Sequence, residues 1–475
     1  MVACAQLMLL PALTTAAQPS APTALRDDIH IEYFADVAPH SIRIERDPVS
    51  GRLHYITFEG DLYEMRPTDD GPPVTVRIAT AEDHGITRLQ GMEFIDSTLF
   101  LIGNAEANEG RGTKGVGMRG QLFPDGSRTW STMFVTEEFG TTQTTFDHGF
   151  NATIASPDLR FFFINSGART DHGEVQDNNG HYPEARDGPL NTAIFRIPVD
   201  ARDLYLPDDL EELTAKGYQF ARGIRNAYDM AFSPRGHLFA VSNSGDYDHP
   251  EDMFWVREGH HYGFPWVMGG IENPQQYPDF QPDPEKDPFI NPYSHAYNVQ
   301  YLRNDPTFPR RPPDMKITPA VANIGPDANY FRDPADGRVK KGDKVGVALG
   351  TFTAHRSPLG LVFDVDSVLA PGLKGDGFVL SWTNGERSAL MGRLSKLGSD
   401  LMHLKLFYSP SFDNYIVQST RIVEGFNGPT DAELVDNVLY VIEYGGSGSV
   451  VWKITLPADR DGAVTAGPET LPNNN

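Results

Sequence analysis

Short runs dense in Phe, Tyr, Val, Ile and Leu alternate along this chain with turns rich in Pro, Asp, Asn and Gly, and the arrangement repeats. One unit reads Gly91-Met92-Glu93-Phe94, a turn, then Leu99-Phe100-Leu101-Ile102. The same pairing of an apolar strand with a second apolar run joins residues 41–44 to 53–56, 152–154 to 161–164 and 230–232 to 238–241. It recurs as 360–363 with 378–381 and 432–435 with 438–441. Six such units, with no helical period of comparable strength, predict an all-β fold: a six-bladed β-propeller with long inserted loops, spanning residues 30–456. Stacked β-sandwiches would need linkers between them, and the chain has no segment that reads as one. The longest interruption, residues 264–319, is rich in Pro and Asp; its Phe308-Pro309-Arg310-Arg311-Pro312-Pro313 stretch is too proline-dense for a central strand. Loops of this length on a propeller cover one face and shape a pocket, so the insert is expected over the functional face. A short helix is predicted within 207–216, where Asp208, Asp209 and Glu211 favour its N-terminus. Residues 457–475 read as a C-terminal tail.

Composition narrows the function classes. With 45 Gly and 37 Pro among 475 residues and 39% hydrophobic residues, the chain has core material and turn chemistry for many short strands. A net charge of −24 repels nucleic-acid phosphates and anionic lipid, which removes nucleic acid and membrane surfaces from the expected partners. The single cysteine, Cys4, lies in an apolar N-terminal run. Residues 1–17 read as a secretory signal: an apolar segment over 1–13, then small residues, although no Lys or Arg precedes it. Secreted or periplasmic location is therefore expected, with no thiol left in the mature chain, hence no disulfide and no Cys-based metal site. No other stretch is apolar and long enough for a membrane span.

The most informative segment is Arg225-Asn226-Ala227-Tyr228-Asp229-Met230, with a Ser233-Pro234-Arg235-Gly236 turn, then Asn243-Ser244-Gly245-Asp246, Glu251-Asp252 and Gly259-His260-His261-Tyr262-Gly263-Phe264-Pro265. This run resembles the signature of the glucose/sorbosone dehydrogenase family, the soluble pyrroloquinoline-quinone (PQQ) dependent sugar dehydrogenases. Asp147-His148 ahead of Ser156-Pro157-Asp158 is similar to that family's catalytic Asp-His. His355-Arg356-Ser357-Pro358-Leu359-Gly360 resembles its entry to the fifth blade, and Gly428-Pro429-Thr430-Asp431 its entry to the sixth.

The resemblance implies oxidation of an aldose or related sugar alcohol, with hydride passing to PQQ and Ca²⁺ polarising the quinone. His148 would be the general base, Asp147 its orienting carboxylate and Arg225 a fixed positive fork; imidazole titrates near neutrality, which suits removal of a hydroxyl proton. As sequence neighbours, Asp147 and His148 can act together only at a strand end or in a loop. Asn226, Asn243, Arg356, Thr383 and Thr430 would line the cofactor, and Gly245 and Asp246 would correspond to its metal-holding step. Thr383 stands where the family carries a lysine, and Gly428 and Thr430 where it carries arginines. PQQ has three carboxylates, so Arg356, Arg387 or Arg421 would have to replace those cations. Arg225 has a structural alternative, an anchor tying adjacent blades at the axis. The expected partners are a small-molecule or oligosaccharide substrate and an external electron acceptor. A propeller-based hydrolase or lyase acting on a saccharide without quinone, or a non-catalytic binding propeller, are the alternatives.

Overall fold

A computed structural model of the chain describes residues 20–459, except 108–111, 141–146, 177–185, 246, 248, 288–289, 291, 294, 299, 301, 328–329, 347–348, 384–397 and 446–447. The proposed signal segment and the end of the tail thus lie outside the described residues.

Six antiparallel sheets stand around one axis, as the repeat predicts. Blade 1 runs Ser41–Arg46, Leu53–Thr57, Leu62–Thr68 and Gly71–Ala79; blade 2 runs Arg88–Ile95, Thr98–Ala107, Gly112–Leu122 and Arg128–Thr136. Blade 3 comprises Gly149–Ala155, Phe161–Gly167, Ala193–Pro198 and Gln219–Arg222. Blade 4 has three described strands, Ala227–Phe232, Leu238–Ser242 and Asp252–Trp255; beyond them the Val321 amide donates to the Met253 carbonyl where a fourth would lie. Blade 5 runs Pro358–Phe363, Gly377–Ser381, Asp400–Ser409 and Asn414–Glu424. Blade 6 uses Pro429–Val435, Val438–Glu443 and Val450–Thr455, and takes its outer strand from the other end of the chain, His30–Asp36. Each apolar pair read from the sequence is the inner hairpin of a blade: Ile44 faces Tyr55, Met92 faces Leu101, and Ala432 faces Val441. The predicted helix is Leu210–Ala215, with Asp209 accepting from the Glu212 amide at its N-terminus.

The core is a set of wedges between blades. Phe100, Phe134, Phe150, Phe162 and Phe195 fill the wedge between blades 2 and 3, and Phe378, Leu380, Leu439, Val441 and Trp452 fill that between blades 5 and 6. Inner strands of neighbouring blades do not form backbone ladders with each other; side chains stitch them instead. Glu45 accepts from the Phe94 amide, Asp229 from Leu361 and Asp431 from Ile44, so a carboxyl on one inner strand satisfies the backbone of the next. Arg43 crosses the channel they enclose. Its guanidinium donates to the carbonyls of Gln90 and Tyr228, lies 3.4 Å from Asp229 and 3.7 Å from Asp431, and covers the Tyr228 ring at 4.2 Å. Four blades thus meet on one side chain, itself 5% exposed.

Removing this cation leaves two enclosed carboxylates without their partner. Arg43→Ala should lower the unfolding free energy by about 3–5 kcal/mol in urea titrations, with Arg43→Lys recovering only part of the loss.

Candidate active site on the strand-entry face

Every inner strand begins, and every second strand ends, on the same face, so the loops there gather residues distant in sequence. Asp147 and His148 lie in the loop just before Gly149–Ala155, a placement that lets neighbouring side chains point the same way. His148 is fixed twice over: its amide and its Nδ1 both reach the Ala168 carbonyl, each at 3.0 Å. A carbonyl only accepts, so Nδ1 carries the proton and Nε2 is the basic nitrogen. Gln90 Nε2 donates to the His148 carbonyl while the Gln90 carbonyl accepts from Arg43, which ties this loop to the axial cation.

Arg225 and Asn226 precede the inner strand of blade 4 and come against the same spot. A side chain added at Gly167 would meet Asn226 Oδ1 at 2.5 Å and His148 Cβ at 2.6 Å, which places those two residues on either side of this glycine. Asn226 accepts from Asn151 and donates to Asn243, both at 2.8 Å; Asn151 in turn accepts from Asn165 at 2.7 Å. A row of four amides therefore underlies the site.

Arg225 donates from Nε to the Asp171 carbonyl at 2.7 Å, from NH2 to the Asp171 carboxylate at 3.2 Å and from NH1 to the Asn243 carbonyl at 3.2 Å. It ties blade 3 to blade 4, as the structural alternative for this residue expects.

Asp171 is the residue that sequence reasoning missed. It holds Arg225, accepts from His172 Nδ1 at 2.8 Å, and packs against Gly245, where an added Cβ would lie 2.8 Å from both carboxylate oxygens. His172 also stands 3.4 Å from Glu174, whose carboxylate accepts from the Asp171 and His172 amides. Burial opposes a charge on His172, but Glu174 and Asp171 outweigh it and lift the imidazole to about 9. The available signal was a further Asp-His pair in the sequence, Asp171-His172. The insert reaches this cluster: Asn273 donates to the His172 and Pro265 carbonyls, and Arg186 of blade 3 pairs with Asp305.

Other expected residues lie elsewhere. Arg356, expected to meet a cofactor carboxylate, is 1% exposed and is committed to Asp400 and Ser381. Arg421 pairs with Asp327 and Glu424, and Arg387 lies outside the described residues. Thr430 does not line a pocket; buried at 3% exposure, its hydroxyl donates to the Ser41 and Ile442 carbonyls between blades 6 and 1. Thr383 does line one, of about 370 Å³, beside Trp382, Asn427, Gly428 and Tyr444. Asp246 lies outside the described residues. Among the described residues no three His, Cys, Asp or Glu side chains gather as metal ligands, and the Asp171 carboxylate beside Gly245 is already shared by Arg225 and His172.

The same architecture occurs in solved structures. The chain aligns with a glucose dehydrogenase at 14% identity and TM-score 0.55, covering 90% of this chain and 100% of that one. It aligns with the soluble aldose sugar dehydrogenase of Escherichia coli in its apo-form at 13% identity and TM-score 0.54, covering 90% and 99%. The PQQ domain of the pyranose dehydrogenase of Coprinopsis cinerea, in its holo form, aligns at 12% identity and TM-score 0.53, covering 92% and 98%. At these identities the likeness is one of fold. No family model and no curated protein matches the sequence.

Several enclosed groups shift in a way that fixes the sign of the pH dependence. Burial lifts Glu251 to about 8 and Asp252 to about 7, and burial together with Asp431 lifts Glu433 to about 8. A carboxyl raised on folding binds its proton more tightly folded than unfolded, so its contribution is complete below about 4.5 and disappears as pH climbs to about 8. His172 acts in the same sense, with its contribution complete below about 6.5 and lost as pH rises through about 9. Above about pH 7, where the histidines of depressed pKa are neutral folded and unfolded alike, urea midpoints should therefore fall toward pH 9, and an NMR titration of His172 should show the imidazolium persisting to about pH 9.

Proposed function

We propose that the strand-entry face is the active site of a carbohydrate oxidoreductase, exported to the periplasm or the cell exterior. The observation that carries this reading is the convergence of His148, with its Nδ1 proton fixed on Ala168, and Asn226 around Gly167, with Arg225 held beside them. His148 Nε2 takes the proton of a sugar hydroxyl. The carbinol carbon gives its hydride to a two-electron acceptor of the quinone or dye class, and the C–O bond becomes C=O. Arg225 and the row of amides place polar donors beside the reacting oxygen as its charge develops. Structural neighbours that are sugar dehydrogenases, one of them holding PQQ, support the reaction class.

PQQ itself does not fit the described residues, and no step is drawn through it. Arg225, Asn226 and Asn243 offer polar atoms at one end, but the far end presents Thr383, Gly428 and Trp382, and Arg356 is spent on Asp400. Three carboxylates without cations in a partly enclosed site would cost several kcal/mol. The same observation favours a second reading, a quinone-independent hydrolase or lyase acting on a saccharide through His148.

Turnover of aldoses with an artificial electron acceptor, with and without added PQQ and Ca²⁺, separates the two. The oxidoreductase reading expects sugar-dependent dye reduction that falls about 10²–10⁴-fold in His148→Ala while the fold is retained. Absence of dye reduction under both conditions, with release of reducing ends from an oligosaccharide, would replace it by the hydrolytic reading.

A further inference from the structure

The pocket between the entries to blades 5 and 6 is built from aromatic and neutral polar groups. Trp382 follows the second strand of blade 5 and is 42% exposed, an unusual position for so large an apolar ring. Its indole meets Tyr444 edge to face at 6.2 Å, and His40 stacks on the other side of Tyr444 at 5.1 Å. Gly428 sets this arrangement. At φ +67 it adopts a backbone conformation that suits glycine, and a Cβ there would come within 2.8 Å of the indole Nε1. Its carbonyl accepts from the Tyr444 amide at 2.8 Å, so one residue positions both aromatic rings. Asn427 is held by its amide on Glu443, and Thr383 by its amide on the Arg356 carbonyl.

None of the side chains lining this pocket among the described residues carries a charge. Glu443, which accepts from the Asn427 amide, is 2% exposed and burial raises its pKa, while Glu59 lies within electrostatic reach of Tyr444. A chain of net charge −24, with no cation among the described lining residues, disfavours an anion here. An exposed indole and a half-buried phenol ring beside amide and hydroxyl groups match a sugar ring, which presents C–H faces to aromatics and hydroxyls to polar atoms. A cavity of about 370 Å³ is large enough for one or two such rings. A path of contacts leads from the pocket toward Arg225. The Trp382 amide donates to the Ser357 carbonyl at 3.1 Å, the Ser357 amide meets the Glu251 carboxyl, and Glu251 lies within electrostatic reach of Arg225.

We propose that this pocket is a binding subsite for an uncharged sugar ring, so that the substrate is a neutral saccharide extending from His148 across the entries to blades 5 and 6. The proposal rests on the carbohydrate reading above, but it is tested by binding alone. Isothermal titration of the full chain with cellobiose, maltose and lactose, with glucuronate and PQQ as anionic controls, should show binding of at least one neutral disaccharide and none of either anion. Trp382→Ala should weaken that binding at least tenfold, Trp382→Phe should restore part of it, and Gly428→Ala, which displaces the indole, should weaken it with Trp382 still present. Binding unchanged in Trp382→Ala, or PQQ bound more tightly than every disaccharide, overturns the subsite. Dye reduction with no disaccharide binding would also overturn it while leaving the oxidoreductase reading intact, whereas disaccharide binding without dye reduction would do the reverse.

Discussion

The architecture depends on a single cation at the axis. Inner strands of a propeller lie too far apart for a continuous ladder, so something else must satisfy their backbone and hold the ring to one diameter. Here carboxyls on one inner strand accept from amides on the next, and that solution concentrates negative charge in an enclosed channel. Arg43 makes it tolerable by touching blades 1, 2, 4 and 6 at once. Through Gln90 the same guanidinium reaches the carbonyl of His148, so the axial cation and the candidate base belong to one hydrogen-bonded path.

Above that floor, the strand-entry face has two halves of different character. The half at blades 3 and 4 is charged and dense, with Asp171, His172, Glu174 and Arg225 each compensating another. The half at blades 5 and 6 holds an open pocket whose described lining is aromatic and neutral.

The fold was legible because a propeller repeats its signal: each blade needs an apolar inner hairpin, and six hairpins can be counted. The three-stranded blade 4 and the donated strand His30–Asp36 were not legible, since neither leaves a local pattern. At the site, Asp147-His148 and Arg225-Asn226 stood out as pairs of chemically suited residues. Arg356 and Thr430 could not be placed correctly, because a sequence shows an arginine but not the Asp400 that occupies it, and a threonine but not the carbonyls it joins. Asp171 acts partly through its backbone carbonyl, which carries no side-chain signature at all.

The outer strand of blade 6 comes from the start of the chain and its partner from the end, with Tyr33 opposite Trp452 and Lys453 reaching Glu32. The ring therefore cannot close until the last blade has been synthesised. Until then the first strand has no partner and Trp452, which it covers edge to face at 6.4 Å, does not yet exist. Such a pairing is among the slowest kinds of contact to form, because its loop entropy must be lost before any of the contact is gained. The emerging chain thus carries an unpaired strand edge for the whole of its synthesis, and the acidic residues Glu32 and Asp36 within it, with Asp27 and Asp28 just before, limit its association with other chains.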